Sequence, residues 1–240
     1  MKMKSIIYSV AAASIAMMGF DAMACTNLLA GKNATIDGSV LISYAADSHT
    51  LYGDLQYLPA ADHKPGDMRE IREWDTGKHL GNIPEVAHTY AVVGNINEHQ
   101  VTVAESTFGG RHELADTTKD AIIDYGSLIY LALQRSRTAR EAIKVMTDLV
   151  AKYGYCSEGE SFSIGDPNEL WVMEMIGKGG KEKGAVWVAI RIPDDCISAH
   201  ANQSRIYRIP LKDKQNCMYS KDVISFARKK GYFNGRDSEF

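Results

Sequence analysis

The sequence has no block of basic residues, no internal repeat, no low-complexity stretch and no second apolar span after its N-terminal run. A net charge of −3 without a basic cluster gives no indication of nucleic-acid binding. The seven histidines are scattered without the H-x-x-x-H spacing of a metal site. The glycine–lysine stretch at 177–181 lacks the G-x-x-x-x-G-K-[ST] pattern of a phosphate-binding loop, so we interpret it as a surface turn.

The first 24 residues have the pattern of a secretory signal peptide. Lys2 and Lys4 precede a mostly apolar run, Ser5–Phe20, and Ala22-Met23-Ala24 provides the small residues that signal peptidase reads. The run is shorter than the roughly 20 apolar residues that a membrane anchor needs. We therefore expect cleavage immediately before Cys25 and a periplasmic or secreted protein.

The remaining residues, 25–240, have the composition of one globular domain. Hydrophobic residues make up 45% of the sequence and charged residues 24%. Blocks of strand pattern are separated by helical periodicity, which favours an α+β fold with antiparallel sheets. The predicted strands are 26–30, 40–44, 51–58, 90–94, 101–104, 161–164, 170–176 and 185–192, and an Asp37-Gly38 turn joins the first two into a hairpin. Trp74, Trp171 and Trp187 lie in strand-like runs, which favours positions in the core. The predicted helices are 120–135, the segment after the capping box at 138–141, and 221–230, with Ser220 as its cap.

All four cysteines lie after the predicted cleavage site, where disulfides are permitted. If Cys25 is reserved for chemistry, at most one pair can form among the other three. The sequence does not choose the pairing among Cys156, Cys196 and Cys217.

A cysteine at the start of a mature chain carries its thiol and a free α-amine on one residue. That amine has a pKa of about 7.7–8.0, so it can accept the thiol proton near neutral pH. Nucleophile and base are then combined, as in other N-terminal nucleophiles. Two alternatives remain: a structural cysteine, or a lipoprotein in which Cys25 is lipidated. Against the lipoprotein, Ala22 stands at position −3, Met23 is bulky, and no flexible tether follows Cys25.

Several separated motifs, in order over residues 25–240, resemble the cysteine-nucleophile dipeptidases, a family of N-terminal nucleophile (Ntn) hydrolases related to penicillin V acylase and bile salt hydrolase. The motifs are CTNLLAGK at 25–32, TIDGS at 35–39, GNINE at 94–98, AESTFGGR at 104–111, DYG at 124–126, TAREA at 138–142, GDPNE at 165–169 and HANQSR at 200–205. The resemblance implies a four-layer αββα sandwich and hydrolysis of dipeptides without metal or cofactor. Cys25 would attack the scissile carbonyl and form a thioester that water cleaves.

The resemblance also implies roles for other residues. Asp47 matches the aspartate that holds the nucleophile's amine, and Asn202 matches the asparagine that contacts the reacting centre. Thr107 falls where the acylase relatives place an oxyanion-hole asparagine. Glu105 and Arg111 are candidates for site or supporting residues.

The sequence departs from the family pattern in two ways. Many relatives carry an arginine three residues before the aspartate, where this chain has Tyr44, which can donate a hydrogen bond but supplies no fixed charge. Family members are also commonly about twice as long. We therefore expect the Ntn-hydrolase domain to be incomplete at the C-terminus, without a further catalytic-site arginine.

Three functions remain open from the sequence. The first is an exported dipeptidase acting on dipeptides or small peptides. The second keeps the fold but hydrolyses N-acyl amides, and the third is an inactive or lipid-anchored binding protein. We expect no nucleic-acid partner and no membrane association unless Cys25 is lipidated; a homo-oligomer is left open.

Overall fold

The computed structural model describes residues 25–47, 53–115, 120–180 and 182–240. The predicted signal peptide, 1–24, lies outside the described residues. Within them, the strands are β1 (Thr26–Ala30), β2 (Leu41–Ala45), β3 (Tyr57–Leu58), β4 (Ala61–Asp62), β5 (Met68–Arg72), β6 (His79–Pro84), β7 (His88–Thr89), β8 (Val92–Val93), β9 (Ile96–Asn97), β10 (Thr102–Gly109), β11 (Gly159–Gly165), β12 (Leu170–Gly177), β13 (Ala185–Ile192), β14 (Ile197–Ala201) and β15 (Cys217–Tyr219). The helices are α1 (His112–Ala115), α2 (Tyr125–Leu133), α3 (Ala139–Tyr153) and α4 (Val223–Lys229), with a 3-10 turn at Asp237–Glu239.

A small antiparallel sheet, in the order β14-β1-β2, carries the start of the domain. The predicted hairpin is confirmed, since β1 pairs with β2 around a turn at Asp37-Gly38. In that turn Asp37 Oδ1 accepts hydrogen bonds from the backbone N–H of Ser39 at 3.1 Å and from its hydroxyl at 2.7 Å. These bonds lower the pKa of Asp37, which acts as the expected turn former.

A large antiparallel sheet, in the order β15-β13-β12-β11-β10-β9-β8-β3, forms the centre of the molecule. All seven residues of β11 are buried, because both faces of the sheet are covered there. Helices α2 and α3 cover one face of this sheet. They pack there against alternate residues of β12, namely Trp171, Met173 and Met175. The other face packs against the small sheet through Leu29, Val40, Ile42, Leu170, Val172 and Ile192.

The two long helices begin at side-chain caps. Asp124 accepts a hydrogen bond from the backbone N–H of Ser127, so α2 begins later than the predicted residue 120. Thr138 accepts from the backbone N–H of Glu141, as the capping box predicts. Helix α3 ends at Gly154, whose φ of +79° favours glycine.

The predicted cap of the last helix is wrong. Helix α4 begins after Asp222, which makes no side-chain cap bond. The Ser220 hydroxyl instead accepts a hydrogen bond from the backbone N–H of Trp187 at 3.4 Å, linking this segment to β13.

Three strand predictions also differ from the structure. Of the predicted strand 51–58, only Tyr57–Leu58 is a strand, and residues 51–52 lie outside the described residues. The β5–β6 hairpin was not predicted, because its residues lack a clear apolar alternation. Trp74, expected in a strand, lies in the turn of that hairpin.

The predicted α+β class is confirmed, whereas the fourth layer of the αββα sandwich is not seen in the described ranges. There the order is helices, large sheet, small sheet. On the outer face of the small sheet, Leu28 is 55%, Leu41 53% and Ile197 77% exposed. No helix in the described ranges is long and apolar enough to cross a bilayer.

Candidate active site

Cys25 immediately precedes β1 and lies half-buried against β10. Its Sγ is 3.9 Å from Oε1 of Glu105. Strand β1 is fixed to β10 by the buried side chain of Asn27, whose Nδ2 donates to the backbone carbonyl of Glu105 at 2.7 Å. The hydroxyl of Ser106 donates to the carbonyl of Cys25 at 3.3 Å. The thiol is therefore held at the edge where the two sheets meet.

Tyr44 is beside this group because it is the register partner of Asn27 in the small sheet. Its hydroxyl donates to Oε1 of Glu105 at 2.7 Å, the oxygen that also faces Cys25 Sγ. The residue that replaces the family's arginine thus binds a carboxylate instead of supplying a charge. Burial, followed by the charge of Glu105, raises the pKa of Tyr44, so the phenol stays a donor.

Asn202 follows β14 and reaches the same place from the other side of β1. Its φ of +44° is unusual for a residue with a side chain. Its backbone N–H donates to the Ser106 hydroxyl at 2.8 Å, and its Nδ2 donates to the carbonyl of Thr107 at 2.7 Å. Ser106 therefore connects Asn202 to Cys25.

Thr107 uses its hydroxyl to bind a second buried carboxyl group. Its Oγ1 donates to Oε1 of Glu160 at 2.8 Å, since the two residues face each other in the β10–β11 pairing. Glu105 lies diagonally opposite Glu160 on the same face. The Oε2 atoms of both glutamates are buried, and no donor from the described residues reaches either.

The two glutamates influence each other's protonation. Burial raises the pKa of Glu160 well above its ordinary value, and the neighbouring charge of Glu105 raises it further. Burial also raises the pKa of Glu105, while the hydrogen bond from Tyr44 opposes this. Glu160 is therefore the one that holds a proton more readily, and in its acid form it can donate to Glu105.

Burial and the negatively charged carboxylates around the thiol of Cys25 both raise its pKa. Burial first, and then the charge of Glu105, raise the pKa of Cys25 to about 11; the charges of Glu160 and Asp47 act in the same direction. Only the backbone N–H of Asp47, which donates to the sulfur, opposes them among the main causes. Because no cation of the described residues is among these main causes, the thiolate is scarce at neutral pH as long as the nitrogen of Cys25 is an amide.

The structure brings together most residues that the sequence proposes. Tyr44, Glu105, Thr107 and Asn202 form one hydrogen-bonded group around Cys25. The backbone N–H of Asp47 faces the sulfur.

Arg111 lies elsewhere: it is exposed, its guanidinium is 3.7 Å from Glu113, and it lies 4.2 Å above the ring of Tyr232. Sequence reasoning missed Asn27, Ser106 and Glu160. Glu160 could have been recognised as a candidate because it is a charged residue at the start of a strand that is buried on both faces.

Two cavities adjoin this group. One, of about 360 Å³, is lined by Tyr44, Tyr125 and the stacked rings of Trp74 and Tyr130, whose centroids are 4.9 Å apart. The other, of about 400 Å³, is lined by Thr107, Glu160 and again Tyr125. Trp74 therefore lines a cavity, where the sequence favoured a place in the core. None of the described residues form a cluster of three or more potential metal ligands.

The model of peptidase family C69 matches residues 24–64 and 54–240. The chain belongs to peptidase family C69. The chain is 32% identical to the "Probable dipeptidase" of Latilactobacillus sakei over 226 residues, which are 85% of this chain and 44% of the relative. It is 27% identical to the "Probable dipeptidase" of Salmonella dublin over 241 residues, or 91% of this chain and 52% of the relative. The "Probable dipeptidase A" of Streptococcus pyogenes serotype M3 is 28% identical over 221 residues, covering 85% and 45%.

The family membership confirms the resemblance found in the sequence. The C69 chain spans about half the length of the curated relatives it matches.

Proposed function

We propose that this chain acts as an exported cysteine-type dipeptidase whose nucleophile is Cys25 and whose base is the amine that leader cleavage creates. The observation that carries the proposal is the position of Cys25 at the start of β1, where its thiol touches Glu105 and its carbonyl is bound by Ser106. Names of relatives as probable dipeptidases support peptide hydrolysis.

The acidic surrounding explains why processing matters in this proposal. With an amide nitrogen at Cys25, burial and three carboxylates hold the pKa of the thiol near 11. Cleavage replaces the amide by an amine with an ordinary pKa of about 8, which gives the thiol proton an acceptor on the same residue. A nucleophile and its base are then one covalent unit.

The reaction proceeds in two steps. The thiol proton moves to the α-amine, the sulfur bonds to the substrate carbonyl carbon, and the tetrahedral intermediate collapses. The C–N bond breaks as the ammonium returns its proton to the leaving amine. Water then attacks the thioester with the amine as base, releasing the acyl part as a carboxylic acid and restoring the thiol.

The developing negative oxygen needs donors, and Thr107 is a poor candidate because its hydroxyl is bound to Glu160. Asn202 is better placed: its amide has one hydrogen left after binding the Thr107 carbonyl. We assign Asn202 to this role.

The test uses the chain exported from cells and the same chain kept uncleaved. Mass spectrometry identifies the N-terminus, and hydrolysis is followed with dipeptides and with N-acyl amides. We expect a free Cys25, dipeptide cleavage by the processed chain alone, and loss of cleavage in Cys25→Ser. Cys196→Ser, at an exposed thiol outside the site, is the matched control.

Equal cleavage by the uncleaved chain would contradict the role of the amine. Preference for N-acyl amides would replace dipeptides as the substrate class, and a lipidated Cys25 would exclude the mechanism.

A further inference from the structure

The cavity beyond Thr107, called here the acidic cavity, concentrates carboxyl groups beside the Glu105–Glu160 pair, of which Glu160 lines it. Within the described part of the chain no Lys or Arg lines it. Its lining residues are Glu73, Asp75, Thr107, Ala115, Asp124, Tyr125, Cys156, Ser157, Glu158 and Glu160. Five of these ten side chains are acidic, so the cavity favours a cation on electrostatic grounds.

Some of these carboxylates have structural duties. Asp124 caps α2 and also accepts from the backbone N–H of Trp74 at 2.9 Å. Glu73 binds the hydroxyl of Thr76. Asp75 and Glu158 are different: both are exposed at the cavity, and Asp75 accepts a hydrogen bond from Tyr125 at 2.9 Å. Their charges are available to a ligand.

A separate observation at the inner end of the cavity points to a missing donor. Glu160 is 1% exposed and lines the cavity. Its Oε1 accepts from Thr107, but no donor from the described residues reaches its Oε2. A buried carboxylate oxygen without a donor is costly. Within the protein, a proton shared with Glu105 can satisfy this oxygen. A ligand that carries N–H donors can satisfy it in the same way.

The spacing from the sulfur limits which ligand group fits. In a peptide the α-nitrogen lies about 2.5 Å from the carbonyl carbon of its own residue, given bonds of about 1.46 and 1.52 Å. Glu105 Oε1 is 3.9 Å from Cys25 Sγ, and Glu160 is next to Glu105 across the strand pair. The Glu105–Glu160 pair, whose second member lines the acidic cavity, therefore begins within one residue's reach of the carbon that the sulfur would attack.

We propose that the acidic cavity binds the free α-ammonium group of the substrate's first residue. This inference rests on the proposed function and deepens it. The ammonium donates to Glu160, and Asp75 and Glu158 attract it from the mouth of the cavity. A substrate with an acylated nitrogen brings no charge and is disfavoured, so unblocked peptides are selected over N-acyl amides.

The experiment measures binding separately from hydrolysis. Isothermal titration uses the full chain carrying Cys25→Ala, with dipeptides that begin with alanine, leucine, phenylalanine, lysine or glutamate, and with their N-acetyl derivatives. We expect acetylation to weaken binding of the best dipeptide by about tenfold, the loss of one charge-assisted contact. Asp75→Asn with Glu158→Gln should weaken the free dipeptide by about tenfold and leave the acetylated one unchanged.

The control is Glu70→Gln with Asp148→Asn, two exposed carboxylates outside the cavity, which should change neither affinity. Thermal unfolding of each variant verifies folding.

Equal binding of free and acetylated dipeptides, equal weakening of both by the cavity variants, or no binding by either overturns the inference. Amine-dependent binding without hydrolysis by the processed wild-type chain supports the cavity's role and rejects the dipeptidase. Equal hydrolysis of both substrate types keeps the hydrolase and rejects the cavity's role.

Discussion

Replacing Glu105 by glutamine isolates the charge that suppresses the Cys25 thiolate. The carboxylate Oε1 lies 3.9 Å from the sulfur, and its charge is the second cause, after burial, of a thiol pKa near 11. Glutamine retains an oxygen that can accept the Tyr44 hydrogen bond, so Glu105→Gln removes the charge with little change of shape.

The size of the effect follows from the distance. Two unit charges about 4 Å apart interact by about 1 kcal/mol in water and about 4 kcal/mol at an effective dielectric constant of 20. Cys25 is only half-buried, so solvent screening favours the lower figure. One kcal/mol corresponds to a pKa decrease of about 0.7, or about five times more thiolate at pH 8.

The assay is alkylation of the uncleaved chain by iodoacetamide between pH 7 and 11, followed on the peptide that contains Cys25. This readout separates it from the free thiols of Cys156, Cys196 and Cys217. Glu105→Gln should react about fivefold faster at pH 8, whereas Glu70→Gln should match the wild type. An unchanged or slower reaction would refute the electrostatic reasoning and leave burial alone as the cause.

Three further changes test the fold and the carboxyl pair. Glu160→Gln should increase stability relative to wild type as the pH rises from 5 to 8 in thermal unfolding. The reason is that the raised pKa of Glu160 makes the folded state favour the proton and lose stability on deprotonation; a pH-independent difference would contradict this. Thr138→Ala should lower the free energy of unfolding by about 1 kcal/mol in urea, through loss of the α3 cap. Gly126→Ala should cost about 1–3 kcal/mol, because its Cβ would overlap Trp74; unchanged urea midpoints would refute either expectation.

Regular local patterns allowed the sequence to predict much of the fold. The Asp37-Gly38 turn, the Thr138 cap and the apolar runs of β12 and β13 each depend on neighbours in the chain, so they were found. Strands β14 and β15 were not, because they are only five and three residues long and are fixed by pairing with distant strands.

The residues of the candidate site also fall into those that sequence motifs predicted and those that only the strand pairing reveals. Cys25 and Asn202 were found through motifs, although 177 positions separate them in the numbering (202 minus 25). The contacts of Glu160 were not, because its partner Thr107 is 53 positions away and the pairing depends on strand register. Arg111 illustrates the reverse: it belongs to a matching motif, but Gly109 and Gly110, both with positive φ, end the strand before it and it turns to Tyr232.

The carboxylates around the thiol have two consequences that depend on each other. Burial and a group of negative charges, with no cation of the described residues among the main causes, raise the thiol pKa and make Cys25 a weak nucleophile while its nitrogen is an amide. The same charges attract an ammonium group. In the proposed mechanism, the α-amine of the processed Cys25 and the amine of an incoming peptide both bring positive charge to this place, and either stabilises a thiolate by Coulomb attraction. Replacing the family's arginine with Tyr44 therefore need not impair the reaction. In that mechanism the positive charge comes from the processed terminus and the substrate instead of from a fixed arginine.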